Sequence, residues 1–112
     1  MLSYERLDAY RCSIEFVGMV AALIERLPKG QFSLSDQLVR AAMSIPLNIA
    51  EGVGKTSRRD AKRFYAIARG SAMECGAILD TGRVLGVIEQ SDTGKAKDLV
   101  ERITAMLTRL LA

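Results

Sequence analysis

The sequence contains no histidine and no tryptophan, and its 112 residues include only three tyrosines and three phenylalanines. Without histidine the chain lacks the usual general base, the commonest transition-metal ligand and the side chain that titrates nearest neutrality. Two cysteines, Cys12 and Cys75, are too few and too far apart for a disulfide scaffold, and neither stands in a CxxC pair, so they read as buried free thiols. The longest apolar stretch in the first helical segment, FVGMVAALI, has nine residues where a bilayer span needs about twenty, and no secretory-type leader is visible. These absences argue against metal, triad and membrane-spanning chemistry and lead us to expect a non-enzymatic, cytoplasmic protein without cofactors or bound metal.

What is present is aliphatic. Hydrophobic residues make up 49% of the chain and aromatics 5%, a profile suited to helices, and the length allows one domain (residues 1–112). Gly, Pro and Ser punctuation at LPKGQFS, EGVGKTS and IEQSD divides the chain into four helical stretches, roughly residues 4–27, 34–53, 57–88 and 92–111. Pro28 closes the first, and Ser33, Ser57 and Ser91 are N-cap candidates for the others. Short connections make neighbours antiparallel, which predicts an all-α, up-down-up-down four-helix bundle.

The helices are not equivalent in projection. The fourth carries one stripe (Ala96, Leu99, Ile103, Met106, Leu110), and the third a stripe of Phe64, Ile67, Ile78 and Leu85. The first has Leu7, Tyr10, Ile14, Val17, Ala21 and Ile24 on one face, with Cys12, Phe16, Met19 and Leu23 nearly opposite. The second has Leu34, Leu38, Ala41, Ile45 and Ile49 on one side and Val39, Met43, Leu47 and Ala50 on much of the other. A bundle subunit buries about one face per helix, so the excess predicts self-association.

What stays polar on the second helix is narrow: Gln37, Arg40, Ser44, Asn48 and Glu51, at spacings of three and four. An antiparallel third helix sets Arg40 opposite Ser71 and Glu74, and Asn48 and Glu51 opposite Arg63 and Asp60. The expectation is a partly buried seam in which Arg40 pairs with Glu74, so that Glu74→Ala would destabilise strongly. Glu51 and Glu74 lie several helical turns apart and do not make an acid/base pair. Pro46 interrupts the backbone ladder and predicts a bend in the second helix or a break into two.

GVGKTS resembles a phosphate-binding loop only superficially. The motif GxxxxGK[ST] needs a glycine where Ile49 stands, and a strand before the loop where a helix is expected. Gly52 and Gly54 are better read as the terminator of the second helix, with Thr56 or Ser57 capping the third. Just beyond, Lys55, Arg58, Arg59, Lys62, Arg63 and Arg69 stand against Asp60 alone, whereas the whole chain carries only +3. A basic ribbon on an otherwise slightly acidic chain is the footprint of a polyanion partner. With only Tyr65 near it, phosphate contact is favoured over base stacking.

The stretches RAAMSIPLNIAEG (40–52) and FYAIARGSAMECGAIL (64–79), with LDAYRCSIEFVGMVAALIERLPKGQFSLSDQLVRAA before them, resemble the four-helix bundle family of 23S rRNA intervening-sequence proteins, related to the accessory protein of diversity-generating retroelements. Arg40, Ser44, Pro46, Asn48, Glu51, Gly52, Gly70, Ser71 and Glu74 match its motif positions. The resemblance implies a ring-like homopentamer with no established enzymatic activity, whose retroelement relative binds nucleic acid and a reverse transcriptase. Together these readings point to low-specificity nucleic-acid or ribonucleoprotein binding through the ribbon. A protein-interaction scaffold that binds no nucleic acid is the competing class.

Overall fold

The computed structural model describes residues 2–112. A 3-10 turn, Ser3–Arg6, leads into four helices, α1 (Asp8–Glu25), α2 (Phe32–Val53), α3 (Arg58–Val84) and α4 (Gln90–Leu111), with no strand among the described residues. Each helix packs against its chain neighbours, and α4 closes the bundle against α1. The result is elongated, 44 × 23 × 20 Å. The expected first helix is thus split: Leu7, with φ −77° and ψ 130°, separates the 3-10 turn from α1, and α1 ends at Glu25, before Pro28.

Of the three serines expected as caps, only Ser57 acts as one, its Oγ accepting the amide of Asp60 at 3.1 Å. Ser33 and Ser91 lie inside α2 and α4, whose N-caps are Gln31 and Glu89, neither with a side-chain bond. The two ends away from the ribbon turn on glycines with left-handed backbone: Gly30 (φ 91°) between α1 and α2, and Gly86 (φ 77°) after α3. At Gly86 the amides of Val87 and Ile88 both return to the carbonyl of Gly82, closing the helix.

One apolar cluster fills the bundle: Phe16, Val20 and Leu23 from α1, Leu38, Ile45 and Ile49 from α2, Ile78 and Leu79 from α3, and Leu99, Ile103 and Leu107 from α4. The stripes expected on α2 and α4 face it. Of that on α3 only Ile78 does, because the helix's core face is Tyr65, Ala68, Ala72, Cys75, Ile78, Leu79 and Gly82. Ile67 and Leu85 point outward, and Phe64 is half-buried. Small residues sit where α3 must come closest to its neighbours, so its large aliphatics, which dominate a helical projection, mark the wrong face.

Pro46 is buried within α2, which runs unbroken from Phe32 to Val53, so a break into two helices does not occur. The helix carries the missing amide bond because Leu38, Ala42, Ile45 and Ile49 bury its core face around that point.

Both thiols are buried and free. Burial, reinforced by the charge of Glu74, pushes the Cys75 thiol up to about 12. The folded protein therefore holds this proton at pH values where the unfolded chain has lost it. That contribution to stability is complete below pH 9 and is lost as pH rises toward 12. Chemical denaturation across that range should show stability falling by up to about 1.4 kcal/mol per pH unit on this account, with a shallower fall in Cys75→Ala. Equal slopes in the two proteins would show that the thiol does not contribute.

Candidate nucleic-acid interface

The α2–α3 turn sets the ribbon at one end of the bundle. Gly52, expected to help terminate α2, is instead buried inside it. A Cβ there would lie 2.7 Å from the Tyr65 ring and 3.0 Å from the Ala61 carbonyl oxygen, so Gly52 is what lets α3 begin tight against the end of α2. Gly54 is the C-cap, in ordinary right-handed conformation, with its amide on the Ala50 carbonyl. GVGKTS is therefore a helix end and turn, as expected, and no strand precedes it among the described residues.

The six ribbon cations divide into two sets. Lys55 lies 3.6 Å from Glu51 and 4.9 Å from the centre of the Phe64 ring. Arg58 donates to the Ala112 carbonyl, and Arg69 Nε donates to Thr108 Oγ1 at 2.9 Å, so both lean on α4. Arg59, Lys62 and Arg63 have no hydrogen-bond or ion-pair partner among the described residues, and Arg59 and Arg63 are exposed. They fall on successive positions of one side of α3, at spacings of three and four.

Their place in the helix is electrostatically unfavourable. Arg58 and Arg59 open α3, where the macrodipole is positive and cations cost about 0.3–1 kcal/mol each, whereas Asp60 in the same turn is favoured. Arg58 is compensated by the Ala112 carbonyl at the end of α4, but Arg59 is not, and a purely structural charge pattern would set it at the other end of α3, as Arg83 is. Of the two aromatics beside the ribbon, Tyr65 is only 9% exposed and Phe64 is half-buried with Lys55 over its ring.

The polar seam between α2 and α3 forms with different partners from those expected. Ser44 and Ser71 share a hydrogen bond at 2.8 Å, and Asn48 Nδ2 donates back to the Ser44 carbonyl (2.8 Å) and Oγ (2.9 Å). Arg40 and Glu74 are brought to the same cleft, of about 310 Å³, with Gln37, but both are exposed and form no ion pair within it. The helices approach closely enough at this level for two short hydroxyls to meet, which puts the longer side chains at the rim, in water. Asn48 turns onto its own helix and Glu51 meets Lys55, so neither reaches Asp60 or Arg63.

Among the described residues no group of three or more Cys, Asp or Glu side chains is placed to hold a metal ion, and no helix is long and apolar enough to cross a membrane. Because Glu74 is exposed and unpaired, Glu74→Ala should leave the thermal midpoint within a degree or two. Ser71→Ala, which removes the Ser44 hydroxyl's partner across the interface and leaves it only the bond from Asn48, should cost about 1 kcal/mol. Thermal unfolding of the two variants checks both, and a large loss in Glu74→Ala would restore the ion pair.

Comparison with known proteins agrees with this architecture. A crystal structure at 1.70 Å of a protein of unknown function from the S23 ribosomal protein family of Bacteroides thetaiotaomicron superposes with a TM-score of 0.86 at 25% identity, covering 92% of this chain and 97% of that one. None of the curated proteins is similar enough to count as a match. The pattern of the family described as 23S rRNA-intervening sequence protein spans residues 5–109, and the chain belongs to that family.

Proposed function

We propose that this protein is a non-enzymatic, self-associating, cytoplasmic helical bundle that binds nucleic acid, alone or in ribonucleoprotein form, with low sequence specificity through Arg59, Lys62 and Arg63. Lys55, Arg58 and Arg69 reinforce the local potential. The observation that carries this reading is the set of three unpartnered cations at the start of α3, within a basic segment (residues 55–69) on a chain that is slightly acidic everywhere else. The family's description, which refers to an intervening sequence of ribosomal RNA, supports an RNA-related role.

Self-association is supported by aliphatic side chains that the subunit leaves in solvent on α1 and α2: Leu47 is 62% exposed and Ile14 and Met43 46% each. Assembly into a ring, five subunits by the family resemblance, would multiply the ribbons and turn a weak contact into a useful one. The same exposed aliphatics favour a second reading, a scaffold that recruits a protein and binds no nucleic acid.

Fluorescence-anisotropy titration against single- and double-stranded DNA and RNA at two salt concentrations separates the two. Micromolar or tighter binding is expected, falling steeply with salt and collapsing when Arg59, Lys62 and Arg63 are all changed to alanine. Sedimentation should give a mass well above the 12.2 kDa subunit. A folded protein that binds none of the four nucleic acids at low salt would overturn the nucleic-acid reading and leave the scaffold.

A further inference from the structure

We infer, resting on the nucleic-acid reading above, that the ribbon's ligand is a duplex held by its phosphates without regard to sequence, in preference to a single strand. Four features of the surface point this way.

The first is that the ribbon end offers no aromatic face for stacking. Tyr65 is buried, Phe64 is half-buried with Lys55 over its ring, and Tyr4 and Tyr10 are half-buried and set edge to face against each other, centroids 4.8 Å apart. Phe32, the fully exposed aromatic, starts α2 at the far end of the bundle. Proteins that hold single strands rely on such faces, gaining affinity base by base from stacking. A surface without them binds by charge alone. Charge alone favours the duplex, which carries one charge per roughly 1.7 Å of axis and releases more counterions per contact than a single strand does.

The second is rigidity. Arg59, Lys62 and Arg63 project from one helix, and the rise from 59 to 63 is about 6 Å. That presents a short, stiff row of cations matched to a stiff row of phosphates rather than to a chain that must be ordered on binding.

The third is relief. Beyond the cations the outer side of α3 runs through Ala66 and Gly70, both exposed, flanked by Ile67 on one side and ending where Met73 projects. A Cβ at Gly70 would meet nothing within 4 Å, so the subunit's own packing does not require glycine at this interior helical position. Its absence of a side chain leaves the surface low where a wide, inflexible ligand would lie.

The fourth is a boundary. Farther along, the groove between α3 and α4 is lined by Asp80, Asp98 and Glu101 against Lys97 alone, and Lys97 is tied to Asp80 at 2.8 Å. These carboxylates repel a polyanion and confine the contact to residues 58–70, a length of about 18 Å. That is about half a turn of duplex, short enough for one backbone contact and too short for a continuous track along a strand.

The test is anisotropy with 20-nucleotide probes: duplex DNA and duplex RNA, each in two unrelated sequences, beside oligo-dT and oligo-U. Both duplex sequences of a given type should bind equally and about tenfold tighter than the single strands, with a logarithmic salt slope near −2.7 per engaged subunit for three phosphate contacts. The DNA and RNA arms show which duplex is preferred. Gly70→Leu, which enters open space and so should fold, is expected to weaken duplex binding several-fold while leaving the single strands unchanged. Single strands binding as tightly as duplexes, or a strong difference between the two duplex sequences, would overturn this inference and leave the nucleic-acid reading standing. Absence of binding to every probe by folded protein would overturn both.

Discussion

The closeness of α2 to α3 is the constraint on which the rest of the molecule depends. It is made by what is missing from the interface: Ala41 and Ala42 on one helix, Ala68 and Ala72 on the other, and Gly52 under the Tyr65 ring. Small side chains let two helices approach until dispersion contacts are made along their length, and a single added methyl at Gly52 would press on both a ring and a backbone carbonyl. At this separation Ser44 and Ser71 reach each other, and the hydroxyl pair, with Asn48 behind it, sets the register of two otherwise slippery apolar faces. Register in turn decides where α3 begins, and so where Arg59, Lys62 and Arg63 stand.

The charge pattern follows the fold's long axis. The turn after α2 gathers cations at one end of α3, and the groove along its second half gathers carboxylates. Neither contributes much to stability: the ion pairs involve at least partly exposed side chains and are worth a few tenths of a kcal/mol each. Stability comes from the apolar cluster, which leaves the surface charges free to be arranged for a partner. Arg59, without a partner and set against the macrodipole, is the plainest sign of that freedom.

Much of this was legible in the residues. The four helices and their breaks follow from Gly and Pro punctuation, the core stripes of α2 and α4 from large aliphatics at helical spacing, and the Ser57 cap from its position before an acidic first turn. The departures come from helix separation and from the two roles of glycine. On α3 a projection points Ile67 and Leu85 inward and passes over Tyr65, Ala68 and Ala72, because it weights large apolar side chains while close helix contact selects small ones. Arg40 and Glu74 stand opposite each other in number, but the close approach of the helices puts short serines at the centre and long charged side chains at the rim. Gly52 has the sequence context of a terminator because glycine ends helices more often than it makes room for a ring, as it does here.

Local physics written in the chain therefore determined which segments are helical, where they turn, and which end of the bundle is basic, since propensity, capping and net charge depend on near neighbours. The tertiary structure alone decided which of two apolar faces on a helix is buried, which polar residues meet across α2 and α3, and which three of six cations are left without partners. Those outcomes depend on the distance between helices, and that distance is set by the smallest side chains of two segments at once.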